Sequence, residues 1–554
     1  MMVATQDNNL AAEILRRHDT LERMREPFES RWQEVCEFVA WRRDPVKPPK
    51  RSSDSIKPSR RGVRALNSTV VRALQVWADG MRGYLVSPTL RWFRLVMADR
   101  RLNEHPDIKA WLEEVEDALY SVFAHSNFYE AMAEYFYDAG SIGTATMFIE
   151  EDVARGEVLF TIQSPWSVCI AEDARGRVDT IYRDVRLTAR QAVGLFGADD
   201  LDARIVQAAE QRPDQTFQFV HAVYPNAKGQ PGYVPGLGKP WASVWVCTTG
   251  RKVVRRSGYY DMPATVWRCR KEVPFVYGFS PAMDAMCDVL GLNQISKDLL
   301  HASHVSVNPP YNVPQEQRGK VSVKPRGINY YHDPRRKIEP VITGVNYPVG
   351  VDREERMEKA IQEHFRVDFF MMMSMMERQM TATEVLERQG EKAVVLGSQI
   401  GRLNADCLDP LIDRVFAIEY RAGRLPDPPA LIAERGGEVD VDYVGPLAQV
   451  QRRLLQTQGI NQGLEALEPL IRIYPEARHV IDPVKAARRV AEAAGIPQDM
   501  LRDEDAVAQL IQAEQQQAQL AQAAQMAQQG AQAARNINEP VAEGSPLEML
   551  MQGV

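Results

Sequence analysis

A helix-forming run, a stretch that forbids helix and a second helix-forming run follow one another between Pro281 and Phe370, and that order restricts the fold more than any other feature of the chain. Ser280 is placed to cap the first run, Pro281 suits the first helical position, and the body to Val305 covers about 25 residues, or ~37 Å at 1.5 Å per residue. Residues 306–350 carry prolines and glycines throughout, with short β-prone runs between them. Helix resumes near Val351 and returns through Ile361, Phe365, Phe369 and Phe370. The pattern predicts a helical hairpin with a small β-rich excursion at its tip, and long helices of this kind serve as spokes or channel walls.

The rest of the chain supplies a body for that hairpin. At 554 residues it is too long for one core, and roughly three or four structural units are expected. From Leu10 to Trp41 the apolar positions Leu10, Ile14, Leu21, Phe28, Trp32, Val35 and Phe38 predict an amphipathic helix broken near Pro27. Residues 42–62 are rich in proline and basic residues and read as an exposed loop, either merely solvated or a basic arm touching DNA or scaffold. Helical pattern returns at Ala65–Leu85 and at Asp107–Tyr137, where Trp111, Val115, Ala118, Leu119, Val122 and Phe123 share a face. Residues 140–275 read as mainly β, with runs at Thr144–Phe148, Val158–Ile162, Val168–Ile170 and Val178–Tyr182. One helix interrupts them at Thr188–Phe196, capped by Thr188 and ended by Gly197. A further long helix is predicted from Thr381, with Thr383 near its start and Pro426, Pro428 and Pro429 at its end. Residues 446–505 are helical in pattern, and the Gln- and Ala-rich tail at 506–554 reads as an appended helix or as disorder. The class is α+β, predominantly helical.

Motifs for catalysis, metal binding and membrane insertion are missing. The nearest approach to a phosphate-binding loop, residues 232–240, has Tyr233 in place of the first glycine and Pro240 in place of Ser/Thr, so it reads as a loop. His301 and His304 lack a third ligand at metal spacing and read as surface histidines. The acidic pairs Glu150/Glu151 and Glu172/Asp173 are assigned to turns, where carboxylates are cheap to solvate. Six cysteines without a C-x-x-C pair indicate reduced thiols, with neither zinc nor disulfides. The longest apolar run, Phe369–Met376 interrupted by Ser374, is far short of the ~20 residues of a membrane span. Gln6, Asp7, Asn8 and Asn9 stand where a signal peptide would need basic and then apolar residues. No catalytic residue, metal or cofactor is assigned.

The order of several blocks resembles the portal, or head-to-tail connector, proteins of podovirus-type bacteriophages. The blocks are REPFESRWQEVCEFV, RALNSTVVRALQVWADGMRGYLVSPTLRWFRL, SNFYEAMAEYFYDAGSIGTATMF, SPWSVCIAEDARGRVDTIYRDVRLT, the YGFSP turn before the long helix, and ERQMTATEV. The resemblance implies a ring of usually about twelve subunits, each with a wing, a two-helix stem, a clip and a crown. On this chain it implies a wing at 1–280, stem helices at 281–305 and 351–370, a clip at 306–350, and a tunnel loop at 371–380 projecting into the channel. A wing return at 381–445, a crown at 446–505 and a C-terminal tail or helical barrel at 506–554 complete the assignment. The implied partners are further copies of the chain, double-stranded DNA, the packaging terminase, the major capsid protein and scaffold, and the tail adaptor and internal ejection proteins. The implied place is the portal vertex of the virion, after assembly in the host cytoplasm.

Charge agrees with a conduit. Each neutralised phosphate releases counterions, so a pore lined throughout with Lys and Arg would hold DNA instead of letting it slide. The chain has a net charge of -7 and pI near 5.9, and the walls of a ring built from it would repel a polyanion. Basic residues should be local, as in the clip stretch with Arg318, Lys320, Lys324, Arg326, Arg335, Arg336 and Lys337. These suit brief phosphate contact, docking of acidic motor or adaptor surfaces, or plain solvation. In the tunnel-loop stretch, Met371, Met372, Met373, Met375, Met376 and Met380 offer a soft surface with no strong hydrogen bond to grip DNA, and Arg378 adds one cation. The same methionines also suit a buried helix junction. Two other readings stay open: a metal-dependent nuclease or terminase subunit, and a tail adaptor or scaffold without a conduit.

Overall fold

The structure, a computed structural model, describes residues 2–41, 65–99, 101–228, 232–307, 347–375, 397–435 and 437–445, together with 311–313, 315, 333, 335, 339, 340, 484, 507, 510, 513, 516 and 517. The chain divides into two compact units, Met1–Gln451 and Arg452–Val554. In the second unit the few described residues, from 484 to 517, are helical.

The first unit opens with α1 (Met2–Phe38), which runs through Pro27 without ending. The predicted break is therefore corrected, and packing supplies the reason. Proline inside a helix costs about 3 kcal/mol, whereas burial of Phe28 and Trp32 returns roughly 2–3 kcal/mol each. The Phe28 ring lies 5.4–5.8 Å from Phe275, Tyr277 and Phe279, and Arg25, one turn earlier, donates to the Val168 carbonyl at 3.1 Å.

After α1 come α2 (Thr69–Leu85), β1 (Phe93–Met97), α3 (Pro106–His125) and α4 (Phe128–Ile142). The single helical pattern predicted over 107–137 is two helices, because Asn127 turns its amide onto the backbone of Phe160, accepting at 3.0 Å and donating at 2.7 Å. In α3 the buried stripe holds Trp111, Val115, Leu119 and Phe123, while Ala118 and Val122 are only half-buried. Gly140 on α4 meets the Trp77 ring on α2, where a methyl group would lie 2.6 Å from the indole.

Two antiparallel sheets follow. One has the order β3–β2–β9, built from β2 (Thr144–Asp152), β3 (Glu157–Gln163) and β9 (Ala264–Arg268). The other is a five-stranded meander of β4 (Val168–Glu172), β5 (Val178–Thr188), β6 (Thr216–Pro225), β7 (Trp241–Cys247) and β8 (Lys252–Tyr259). Its two faces separate by residue parity. Cys169, Tyr182, Val220, Ala222, Val244 and Val246 pack under Ala11, Ile14 and Leu21 of α1. Phe219 and Cys247 on the opposite face pack under α5 (Ala189–Phe196) and α6 (Ala203–Gln211). The α5 start is as predicted, with Thr188 and Gln191 exchanging bonds in a capping box and Gly197 at φ 82° closing the helix.

The chain then runs through α7 (Pro281–Asp284), α8 (Met286–Val307), the paired short strands β10 (Tyr311–Asn312) and β11 (Glu339–Pro340), α9 (Tyr347–His364) and α10 (Val367–Met375). The last part holds α11 (residues 397–403), a π-helical turn at Asn404–Leu408, α12 (Asp409–Arg421), α13 (Ala430–Arg435) and β12 (Val439–Tyr443), which pairs with β1. Helix α12 stops before the three prolines assigned to end it. Gly423 at φ 68° turns the chain, and the Arg424 amide reaches back to the Glu419 carbonyl at 3.0 Å.

Candidate functional site

The paired helices are built as the sequence predicts at their base. Ser280 accepts from the Met283 amide at 3.0 Å and donates to the Ser141 carbonyl at 2.7 Å, and Pro281 opens the helix. A single turn residue, Ala285, separates α7 from α8. Cross-contacts show how α8 and α9 lie together. Asp288 meets His364 at 3.1 Å, and Ser296 donates to Glu354 at 2.5 Å. A methyl on Gly291 would lie 3.1 Å from Met357, and one on Gly350 would lie 2.5 Å from Leu299. As the number rises on one helix it falls on the other, which is an antiparallel pair.

The base of the pair is held to the body and the remainder is not. Leu66 donates its amide to Asn293 at 2.8 Å, and Glu358 accepts from Asn67 at 2.7 Å and from Thr69 at 3.2 Å. From Asn293 onward no described residue of α8 is buried, and on α9 none before Ile361 is. Leu300 is 50 % exposed and Val307 74 % exposed, so each helix covers one side of the other and leaves its remaining faces open. Over α8 and α9 there are seven carboxylates (Asp288, Asp298, Asp352, Glu354, Glu355, Glu358, Glu363) against four cations (Lys297, Arg353, Arg356, Lys359), a surface that does not grip phosphate.

The return helix does not run straight to Phe370. It breaks at Arg366, whose φ of 53° is left-handed, and α10 sets off in a new direction. Phe370 anchors it by lying against Gly80, where a methyl group would sit 2.3 Å from the ring, and by stacking on Tyr84. Ile361, Phe365, Phe369 and Phe370 are all buried, as their spacing requires. The methionine stretch begins as helix: α10 continues through Met375, with Met371 exposed and Met372 half-buried. Met376, Arg378 and Met380 lie outside the described residues, as does Thr383. Of the basic clip residues only Arg335 is described; it is exposed in a turn where its amide donates to Asp333 at 2.9 Å. Arg318, Lys320, Lys324, Arg326, Arg336 and Lys337 lie outside the described residues.

Elsewhere, groups with catalytic potential are committed to structure. Arg183 Nε donates to His221 Nδ1 at 2.8 Å, which leaves the ring proton on Nε2, 2.8 Å from Ser243 Oγ. In that tautomer the imidazole donates to Ser243 and cannot take its proton, the reverse of a Ser-His catalytic pair. Burial, with Arg183 and Arg255, holds the His221 pKa well below the usual value. Arg183 in turn lies 4.0 Å over Phe148 and 3.6 Å from Glu150, which also accepts from Tyr259 at 2.9 Å.

Three of the four carboxylates assigned to turns are in strands and paired, which corrects that reading. Glu150 and Glu151 belong to β2, the latter 3.3 Å from Arg424. Glu172 at the end of β4 pairs with the buried Arg268 and, at 2.5 Å, with Lys271. Only Asp173 is in a turn, where the Arg177 and Arg175 amides hold its carboxyl below the usual range. Pairing of this kind depends on distant residues and leaves no local sequence signal.

The 232–240 segment is a loop as read, with Lys239 donating to the Gly258 carbonyl at 3.0 Å. His301 and His304 are exposed on α8. Among the described residues one group, His18, Asp19 and Glu22, brings potential metal donors within 4.8 Å of one another, and there His18 faces Asp184 at 3.3 Å as a clasp between α1 and β5. No described helix is long and apolar enough to cross a membrane.

Comparison with known proteins agrees across nearly the whole chain. Residues 11–501 match the family described as bacteriophage head to tail connecting protein. The chain is 30 % identical over 512 residues to the probable portal protein of Bordetella phage BPP-1, with 89 % of each covered. It is 28 % identical over 509 residues to the portal protein of Salmonella phage epsilon15, again with 89 % of each covered.

Proposed function

The chain belongs to the bacteriophage head to tail connecting, or portal, protein family, a structural and non-enzymatic component of the virion, and from that premise we propose that its copies close into a ring through which double-stranded DNA is packaged and ejected. The observation that carries this reading is the α8/α9 pair, anchored at its base and open on its other faces. An antiparallel pair some 33 Å long with exposed leucine and valine is incomplete alone, and side-by-side copies around an axis complete it. Twelve copies at a net charge of -7 carry on the order of -80, and the excess of carboxylates on the pair keeps a polyanion moving instead of bound.

In this reading residues 281–305 and 351–370 are the stem, 306–350 the clip, 371–380 the channel-facing segment and 446–505 the crown. The clip docks the packaging motor and then the tail adaptor, while the capsid protein, scaffold and internal ejection proteins meet the rest of the ring at the portal vertex. Negative-stain imaging of the purified chain tests the ring: annular particles with an opening wide enough for duplex DNA are expected, and a compact monomer that encloses no opening, even in assembled particles, overturns it. Arg378→Ala tests the channel-facing segment. Rings should assemble normally while packaging or DNA retention changes, and unchanged values of both remove that assignment.

A further inference from the structure

The two-stranded sheet of β1 and β12 has one closed edge and one that, among the described residues, no other strand covers. On the outer edge of β1 the backbone is satisfied by buried or half-buried side chains. Tyr120 Oη accepts from the Phe93 amide and donates to the Phe93 carbonyl, both at 2.9 Å. Glu116 accepts from Leu95 at 2.7 Å, and Asn103 brackets Met97, accepting at 2.7 Å and donating at 3.0 Å. Three side chains thus imitate a third strand, and nothing can add there.

The outer edge of β12 is different. Register places Arg94 opposite Asp442 and Val96 opposite Asp440, while the Ala98 amide bonds Glu438 and the Val444 amide bonds Trp92. The inward groups of β12 are therefore those of 438, 440, 442 and 444, and the backbones of Val439, Val441 and Tyr443 face away. The Val441 amide is taken by its neighbour Asp440 at 2.8 Å, and among the described residues the backbone groups of Val439 and Tyr443 meet no partner.

We propose that β12 is a docking edge for an extended segment of another polypeptide, one in which basic side chains alternate with apolar ones. Strand addition supplies main-chain bonds, and cross-strand neighbours select the sequence. The Glu438-Val439-Asp440-Val441-Asp442 alternation puts carboxylates on one face and valines on the other. On the valine face Val439, Val441, Leu95, Trp111 and Ile412, with Asp413 beside them, line a hollow of about 360 Å³, room for an incoming side chain that is apolar along its stem. The surroundings are already crowded with acid: burial first, and then Asp409, Asp261, Asp440 and Glu438, raise the pKa of Asp413. Basic residues beside Glu438 and Asp440 relieve that crowding. The same charge works against pairing with β12 of a second copy, where like charges would face each other, and against contact with DNA.

The test uses the full chain and a fluorescent seven-residue probe, Lys-Val-Lys-Val-Lys-Val-Lys, with its Glu-for-Lys counterpart as control. The basic probe should bind and the acidic one should not. Val441→Pro should weaken the basic probe at least tenfold while leaving the β1–β12 pairing in place, read as unchanged exchange at the Ala98 and Val444 amides, because the Val441 amide makes no bond to β1. Independently of any variant, hydrogen exchange at the Val439 and Tyr443 amides should slow when the probe is added. Equal binding to Val441→Pro, or exchange that the probe does not change, overturns the proposal. So does exchange already slow in the free chain, which would show that a second copy or the chain itself covers the edge.

Discussion

The β-rich body and the α8/α9 pair handle polar groups in opposite ways. In the body charges go inside and are met there: Arg268 is 1 % exposed and lies between Glu172 and Asp406, and His221 is fully buried between Arg183 and Ser243. In the pair the polar bridges, Ser296 to Glu354 and His364 to Asp288, are half-buried or exposed, and apolar residues such as Leu300 and Val307 remain in solvent. A buried ion pair broken on one side leaves an uncompensated charge, whereas a surface bridge returns its groups to water. The body therefore holds its own stability, and the pair depends on what packs against it next.

Substitutions can break that contrast. Arg268→Ala should have the largest effect, destabilising the body by about 3 kcal/mol in denaturant unfolding, since Asp406 loses this buried cation and Glu172 keeps only Lys271. A loss below about 1 kcal/mol would show that water reaches the site and that the body is not sealed.

Acid should have an intermediate effect. The His221 pKa lies below its unfolded value, so the unfolded chain binds the proton first and stability falls as pH drops below about 6.5, by at most about 1.4 kcal/mol per pH unit. His18 has the opposite sign. Burial pulls its pKa down, but the hydrogen bond and charge of Asp184, with Glu22, outweigh that and raise it. Its contribution is present below about pH 6.5 and fades as pH rises through the folded value. His18→Gln should therefore lower stability below about pH 6.5 and abolish the part that fades as pH rises above it, and an unaltered pH profile would remove His18 from the account.

The smallest effects belong to the pair. Ser296→Ala should cost under about 1 kcal/mol in the isolated chain. Gly350→Ala should be close to neutral, because the new methyl meets only the movable end of Leu299 while alanine gains about 1 kcal/mol of helix propensity. A loss of several kcal/mol at either site would mean that the pair, like the body, is stabilised internally.

Much of this architecture is local and was therefore readable in advance. The Ser280-Pro281 start, the Thr188 cap, the Gly197 stop and the buried series Ile361, Phe365, Phe369 and Phe370 depend on side chains within a few residues of the backbone they govern. What escaped reading depends on partners far along the chain. Pro27 stays helical because Phe28 meets residues near 277, the helix divides at Asn127 because of Phe160, and Glu150, Glu151 and Glu172 lie in strands opposite Arg183, Arg424 and Arg268. The return helix bends at Arg366 so that Phe370 can reach Gly80. By itself the sequence determined where helices and turns begin, the hairpin that leaves the body and the acidic balance of the chain, because periodicity, capping and charge act over short distances. Only the tertiary structure decided which charges are buried and paired, which strand edge is closed and how the two helices register, because those outcomes rest on contacts between residues separated by tens to hundreds of positions.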